Sequence, residues 1–140
     1  MKKIVFVCLG NICRSPMAEF VMKDLTNPYE IESRATSNWE HGNPIHQGTQ
    51  KIFRSHGVPY DASKTSLQIS DQDFHAFDLI LGMDENNVAD LKRMAPPGTE
   101  HKIHLFAGES VPDPWYTGDF EETYRRVLAG CQEWLDRLED

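Results

Sequence analysis

Apolar and polar residues follow two periods along this chain. The run Ile4-Val5-Phe6-Val7 is apolar without interruption, the pattern of a strand covered on both faces, and predicts a strand over residues 3–7. After Ser15 the period lengthens. Met17, Val21 and Leu25 share one face of a predicted helix, which Asn27-Pro28 ends. Ile31, Ser33 and Ala35 alternate as a second strand, and residues 37–44 read as a polar loop with one large aromatic, Trp39. A second helix is expected from Ile45 to about His56, closed by Gly57 with Pro59 just beyond. Residues 60–70 show no clean period and read as loop. Asp71-Gln72-Asp73-Phe74 predicts a helical turn ahead of the third strand, Phe77-Asp78-Leu79-Ile80-Leu81. Asp84 caps a further helix running to about Met94, where Pro96-Pro97-Gly98 stops it, and residues 102–106 read as a fourth strand. The last helix has the clearest pattern: Phe120, Tyr124, Val127, Leu128, Cys131, Trp134, Leu135 and Leu138 fall at steps of three and four, with Asp119 and Glu122 as a capping pair.

Strands alternating with helices at this spacing predict an α/β fold, a three-layer sandwich around a mainly parallel sheet of about four strands. Ligands of such sheets bind beyond the carboxyl ends of the strands, so the loop after strand one is the expected site. With 140 residues and no internal repeat or linker, residues 1–140 read as a single domain able to bury a substantial core.

Charge and cysteine count narrow the partners. A formal net charge of −8 argues against nucleic acid, whose phosphates are bound through lysine and arginine. Any capture of phosphate must therefore be local, within a Debye length of about 8 Å at physiological salt. Met1-Lys2-Lys3 before apolar residues superficially resembles a secretory leader, but Gly10, Asn11 and Arg14 interrupt the run and no small-residue cleavage site follows. No stretch approaches the roughly 18 apolar residues of a membrane span, so no membrane partner is expected. Three cysteines, an odd number, do not make a disulfide framework, and a reduced, cytoplasmic setting follows.

The chemistry concentrates in Cys8-Leu9-Gly10-Asn11-Ile12-Cys13-Arg14-Ser15, between the first strand and the first helix. Gly10 and Asn11 most readily take the backbone angles that turn successive N–H groups inward to make an anion nest. Ser15 reads as an N-cap and Pro16 as a first helical residue with no N–H to leave unpaired, so the positive end of the helix dipole faces the loop. That field, with Arg14, favours the thiolate of Cys8. Arg14 can grip two phosphoryl oxygens at once, which lysine cannot. Spacing alone would prove little, since Cys131 and Arg137 have the same separation, but they lie in the helical pattern with no flexible loop between them. A thiolate in a phosphate nest points to covalent phosphoryl transfer, with Cys8 becoming a phosphocysteine while Arg14 and the loop amides stabilise the equatorial oxygens. There is no Gly-Lys-Ser/Thr, so neither magnesium nor another cofactor is implied.

The leaving oxygen needs a proton donor that afterwards activates water. Asp113, flanked by Pro112 and Pro114, sits in a stiff loop suited to holding a carboxylate over the site, although an exposed turn aspartate would look the same. Trp39, Trp115 and Tyr116 are candidate walls of a slot for an aryl phosphate, or ordinary half-buried aromatics. Cys13 is either a small apolar filler or a thiol that traps oxidised Cys8 as a disulfide. Cys131 reads as core.

Val7 to Glu19 resembles the signature of the low-molecular-weight protein tyrosine phosphatases, Cys-x5-Arg-Ser near the N-terminus, and the similarity continues through Asp113-Pro114-Trp115-Tyr116 to the last helix. The resemblance implies a hydrolase acting on phosphotyrosine in proteins and on small aryl phosphates, without metal, releasing inorganic phosphate. It implies Cys8 as nucleophile, Arg14 as phosphate clamp and Asp113 as general acid. Leu9, Gly10, Asn11, Ile12, Cys13 and Ser15 then form the phosphate loop, with Asn11 holding its shape and the Ser15 hydroxyl bonding Cys8. The slot comprises Ile12, Trp39, Trp115 and Tyr116, and Cys13 becomes a redox partner. The chain departs from the family at 60–70: where members often carry a histidine and an arginine, it has Ser63-Lys64-Thr65-Ser66-Leu67-Gln68, with Lys64 the basic residue left.

Three rivals remain. Arginine phosphatases of the same family resemble this loop but carry threonine at the position of Ile12, where a branched apolar residue favours tyrosine. Arsenate reductases resemble the architecture but some use a late cysteine pair, against which Cys131 stands alone. A non-catalytic phosphate-binding module would not need both Cys8 and Asp113.

Overall fold

The computed structural model describes residues 2–26 and 28–139. Four strands, β1 (Lys3–Cys8), β2 (Glu30–Ala35), β3 (Leu79–Gly82) and β4 (Ile103–Leu105), form one sheet in the order β2-β1-β3-β4. All three pairings are parallel. Between and after them run α1 (Arg14–Leu25), α2 (Gln47–His56), α3 (Asp71–Ala76), α4 (Glu85–Met94), a helical turn α5 (Pro114–Thr117) and α6 (Phe120–Glu139).

The uninterrupted apolar run of β1 follows from its central place. Ile4, Phe6 and Cys8 point to one face, where they join Met17, Phe53, Phe106, Val127 and Trp134 in the larger core beneath α1, α2 and α6. Val5 and Val7 point to the other, with Phe74, Ile80 and Leu91 beneath α3 and α4. Helices thus cover both faces of the sheet, the three-layer α/β arrangement. Each fully buried Phe or Ile side chain stabilises this packing by roughly 1.5–3 kcal/mol. Cys131 is wholly buried against α1, with its sulfur near the Ala18 carbonyl.

Several element boundaries differ from the periodicity. Helix α1 starts at Arg14, so Ser15 is not its N-cap and Pro16 is not its first residue. Cys13 occupies the cap position without a side-chain bond. Tertiary burial replaces local capping there, because Arg14 to Met22 are all buried. Leu25 lies largely exposed beyond that buried stretch. The Asn27 part of the expected stop lies outside the described residues. Helix α2 begins at Gln47 rather than Ile45, because His46 caps it with its ring, and Gly57 closes it at φ 69°. Phe77 ends α3 rather than opening β3. Asp119 accepts from the Glu122 amide, but the reciprocal arm is not made, since the Glu122 carboxylate pairs with Arg125 and Arg126 instead. Residues 60–70 are loop, fastened by isolated bridges from Gln68 to Ala35 and from Thr65 to Pro44.

The chain leaves β1 for β2 on one side and reaches β3 on the other. The carboxyl end of β1 is therefore the switch point where strand order reverses, and the loop carrying Cys8 to Arg14 begins there.

Candidate active site

The loop after β1 is shaped by Asn11, the one described residue other than glycine with positive φ, at 58°. That turn brings the Asn11 amide to within 3.2 Å of the Cys8 sulfur as a donor. From the other side the Ser15 hydroxyl lies 3.1 Å from the same sulfur. Asn11 Nδ2 donates to Ser15 Oγ at 2.8 Å, which leaves the hydroxyl proton for either Cys8 Sγ or the more distant Arg34 carbonyl at 3.4 Å. Freed from capping, Ser15 thus points its hydroxyl at the sulfur.

The strained turn is held by a buried polar chain. Asn11 Nδ2 also donates to Ser33 Oγ, whose hydroxyl donates to Glu19 at 2.6 Å, and Lys23 closes the chain on that carboxylate. Asn11 Oδ1 accepts from the Leu67 amide and from Lys64, which also donates to the Ser33 carbonyl. Burial pushes the Lys64 ammonium pKa down from its ordinary value, with the Glu19 carboxylate opposing that shift. Loop carbonyls are pinned as well: Leu9 by the Ser37 hydroxyl and amide, Gly10 by Ser66, Ile12 by the His46 amide, and Cys13 by Thr49.

Arg14 is almost wholly buried, yet it lines the same cleft. Nη1 donates to Asp84 at 2.6 Å and to the Val111 carbonyl at 3.0 Å, while Nη2 reaches Asp113 at 3.4 Å. Burial alone would lower the guanidinium pKa; Cys8, Asp84 and Asp113 outweigh it and hold it above the ordinary arginine value. Asp84 does two jobs, capping α4 through Oδ1 and fixing the arginine plane through Oδ2.

Asp113 faces Arg14 from the far side of the cleft. The stretch expected to be a stiff loop is a capped helical turn, in which Asp113 Oδ1 accepts from the Trp115 amide at 3.0 Å and Pro114 takes the first helical position. One carboxylate oxygen is thereby held and the other faces the guanidinium. Trp39, Trp115 and Tyr116 are exposed, so none is a core aromatic, and all three line the mouth. The cleft holds about 160 Å³ and is bounded by Cys8, Leu9, Gly10, Ile12, Cys13, Arg14, Trp39, Glu40, Asp113, Trp115 and Tyr116.

Every candidate site residue named from the sequence therefore borders this cleft or braces its loop, while Cys131 lies in the core. Cys13 is buried beside Cys8; burial pushes its thiol pKa up, and the charges of Cys8 and Asp113 add to the rise. Residues that sequence reasoning missed are Asp84, read only as a helix cap, Glu40 at the mouth, and the braces Ser33, Glu19 and His46. For Asp84, Ser33 and Glu19 the contacts that matter at the site cross 70, 22 and 14 residues, which leaves no local signal of that role. Among the described residues no group of three His, Cys, Asp or Glu is placed to hold a metal ion, and no helix is long and apolar enough to cross a membrane.

The chain matches, over residues 3–140, the family model described as low molecular weight phosphotyrosine protein phosphatase. It is 60% identical to a low molecular weight protein tyrosine phosphatase of Streptococcus pyogenes, whose crystal structure superposes with a TM-score of 0.96 over 99% of this chain and 93% of that one. It is 38% identical to the Bacillus subtilis low molecular weight protein-tyrosine-phosphatase YfkJ over 99% of this chain and 97% of the relative, and YfkJ's crystal structure gives a TM-score of 0.93. A drosophila arginine phosphatase is also similar, at 30% identity and a TM-score of 0.91, covering 100% of this chain and 99% of that one.

Proposed function

Because this chain belongs to the low molecular weight phosphotyrosine protein phosphatase family, we propose that it hydrolyses phosphotyrosine in proteins, and small aryl phosphates, through a phosphocysteine on Cys8. The observation that carries this reading is the arrangement around one sulfur: Cys8 Sγ meets the Asn11 amide and the Ser15 hydroxyl, and Arg14 and Asp113 border the same cleft.

The Cys8 thiolate attacks phosphorus and the bond from phosphorus to the tyrosyl oxygen breaks. Asp113 supplies the proton that the leaving phenolate takes up. Inward loop amides and Arg14 stabilise the charge on the transferring group, so the step calls for no metal ion. Incoming phosphate oxygens compete with Asp113 for Arg14 Nη2, which releases the carboxyl oxygen towards the leaving group. In the second half, water attacks the phosphocysteine, Asp113 takes its proton, and inorganic phosphate departs with the thiolate restored. Throughout, the anchor of Nη1 on Asp84 and the Val111 carbonyl keeps the guanidinium plane fixed.

Tyrosine is favoured as substrate by the apolar Ile12 at the floor and by the flat rings of Trp39, Trp115 and Tyr116 at the mouth, which suit an aryl group. Cys13 borders the same cleft as Cys8, as a partner that traps oxidised Cys8 as a disulfide requires, while the burial that holds its thiol protonated slows that trapping. The physiological partners are tyrosine-phosphorylated proteins, and the setting is cytoplasmic, where thiols stay reduced. Phosphoarginine is the second reading, favoured by the likeness to the drosophila arginine phosphatase.

Matched phosphotyrosyl and phosphoarginyl peptides, given to wild type and Cys8→Ser with a metal chelator present, test the reading. Faster turnover of phosphotyrosine, unaffected by chelation and lost with Cys8→Ser, supports it. Faster turnover of phosphoarginine keeps the nucleophile and overturns the specificity. An active Cys8→Ser variant overturns the mechanism.

A further inference from the structure

His46 joins the phosphate loop to the turn that carries Asp113. Its backbone amide donates to the Ile12 carbonyl at 2.8 Å, and its ring Nδ1 accepts from the Gly48 amide at 2.9 Å to cap α2. The ring stacks on Phe120 at 5.1 Å and meets Trp115 edge to face at 5.6 Å. Gly48 makes this closeness possible, since any Cβ there would collide with the Phe120 ring. Pro114 anchors one end of the turn in the interior, but Trp115, Tyr116, Thr117 and Gly118 are all exposed, which leaves the His46 ring as the lateral contact of Trp115.

We propose that His46 is a positioning residue for the general acid, acting through Trp115 to set where the Asp113 carboxyl stands above the phosphate loop. The proposal rests on the phosphatase reading with Asp113 as acid. One residue then spans both halves of the reaction centre: its backbone fixes the loop that holds phosphorus, and its ring fixes the turn that delivers the proton. Without the ring, the turn loses its lateral support while Cys8, Arg14 and the loop keep theirs. The defect should therefore appear in proton delivery and not in phosphate binding.

Cap and ring are separable by substitution. His46→Asp keeps a capping oxygen and removes the ring, whereas His46→Phe keeps a ring and removes the cap. The readout is kcat/KM across aryl phosphates whose leaving groups range from p-nitrophenol to phenol, because poor leaving groups depend more on the acid. His46→Asp should lose about tenfold on phenyl phosphate and much less on p-nitrophenyl phosphate, a loss of the size expected from one aromatic contact. His46→Phe should restore the wild-type slope, and His46→Asp should add nothing in an Asp113→Asn background. Equal losses on all esters, no loss, or a full additional loss without Asp113 overturns the proposal. If Asp113→Asn alone leaves the slope unchanged, the acid assignment falls and takes this one with it. Should His46→Asp fail to fold, Trp115→Leu must steepen the same slope, or the proposal is wrong.

Discussion

Asn11 and Ser15, which brace the loop that floors the cleft, are 1% and 0% exposed, whereas Trp39 and Tyr116, at its mouth, are 76% and 79% exposed. On the floor nearly every polar atom has a partner: Asn11 alone bonds Cys8, Ser15, Ser33, Lys64 and Leu67. At the mouth Trp39 and Tyr116 stand largely in solvent, and Trp115 alone of the three leans on a ring, that of His46. The floor's geometry is thus over-determined, which lets a non-glycine residue stay at positive φ, while the mouth remains free to close on different aryl groups. Asp113 stands between the two, one oxygen held by its own turn and the other facing the arginine of the floor.

That position makes Asp113 the sharpest test of the comparison. Asp113→Ala should lower kcat with phosphotyrosine by about 10²–10⁴, the span of general acid–base catalysis, with KM little changed. A loss confined to KM would move Asp113 from the chemistry to the mouth. On the floor, Asp84→Ala should cost about 10² in kcat/KM although Asp84 does not line the cleft, because the guanidinium loses its anchor and misplacement of a catalytic group carries penalties of that order. A near-neutral effect in steady-state assays would mean that Val111 suffices to hold Arg14.

Asn11→Ala should reduce activity and also destabilise the fold by about 1–3 kcal/mol, since Ser15, Ser33 and Lys64 would lose a buried partner. Denaturant melts of the purified variant measure this, and unchanged stability would show that the floor is less tightly determined than its bonds suggest. Trp39→Ala at the mouth should instead leave stability alone and raise KM for aryl phosphates roughly two- to tenfold, the value of one stacking contact. An equal fall in kcat would place Trp39 in the chemistry rather than in recognition.

An effect silent at neutral pH concerns the core beneath the floor. Burial pushes the Cys131 thiol pKa up, so the folded state keeps its proton at pH values where the unfolded chain gives it up. Its contribution to stability is intact below about pH 8.5, the ordinary thiol value. Above that it should decline by about 1.4 kcal/mol per pH unit. Unfolding free energies from pH 7 to 10 should therefore fall less steeply in Cys131→Ala than in wild type, and parallel slopes would contradict the assignment.

Where residues act through near neighbours, the amino-acid order was enough to read them. The apolar run of β1, the αL-prone Asn11 and Cys8 with Arg14 lie within one short stretch, so the strand and the turn that follows it come from local backbone preference and hydrophobic pattern. The 3.6-residue period of α6 placed Cys131 in the core for the same reason. Local rules failed where distant groups intervened. Ser15 looked like a cap, but burial of α1 and the side chain of Asn11 turned its hydroxyl to the sulfur. The aperiodic 60–70 segment gave no sign that Lys64, Ser66 and Leu67 brace the loop.

The sequence by itself brought forward the candidate residues: a cysteine, an arginine and the loop between them, along with an aspartate between prolines that an exposed turn would have shown equally well. Only the tertiary structure decided how they stand to one another. Arg14 takes its orientation from partners 70, 97 and 99 residues away. Such contacts leave no local pattern, because they arise when parallel strands bring their carboxyl ends, and the loops that follow them, to one edge of the sheet.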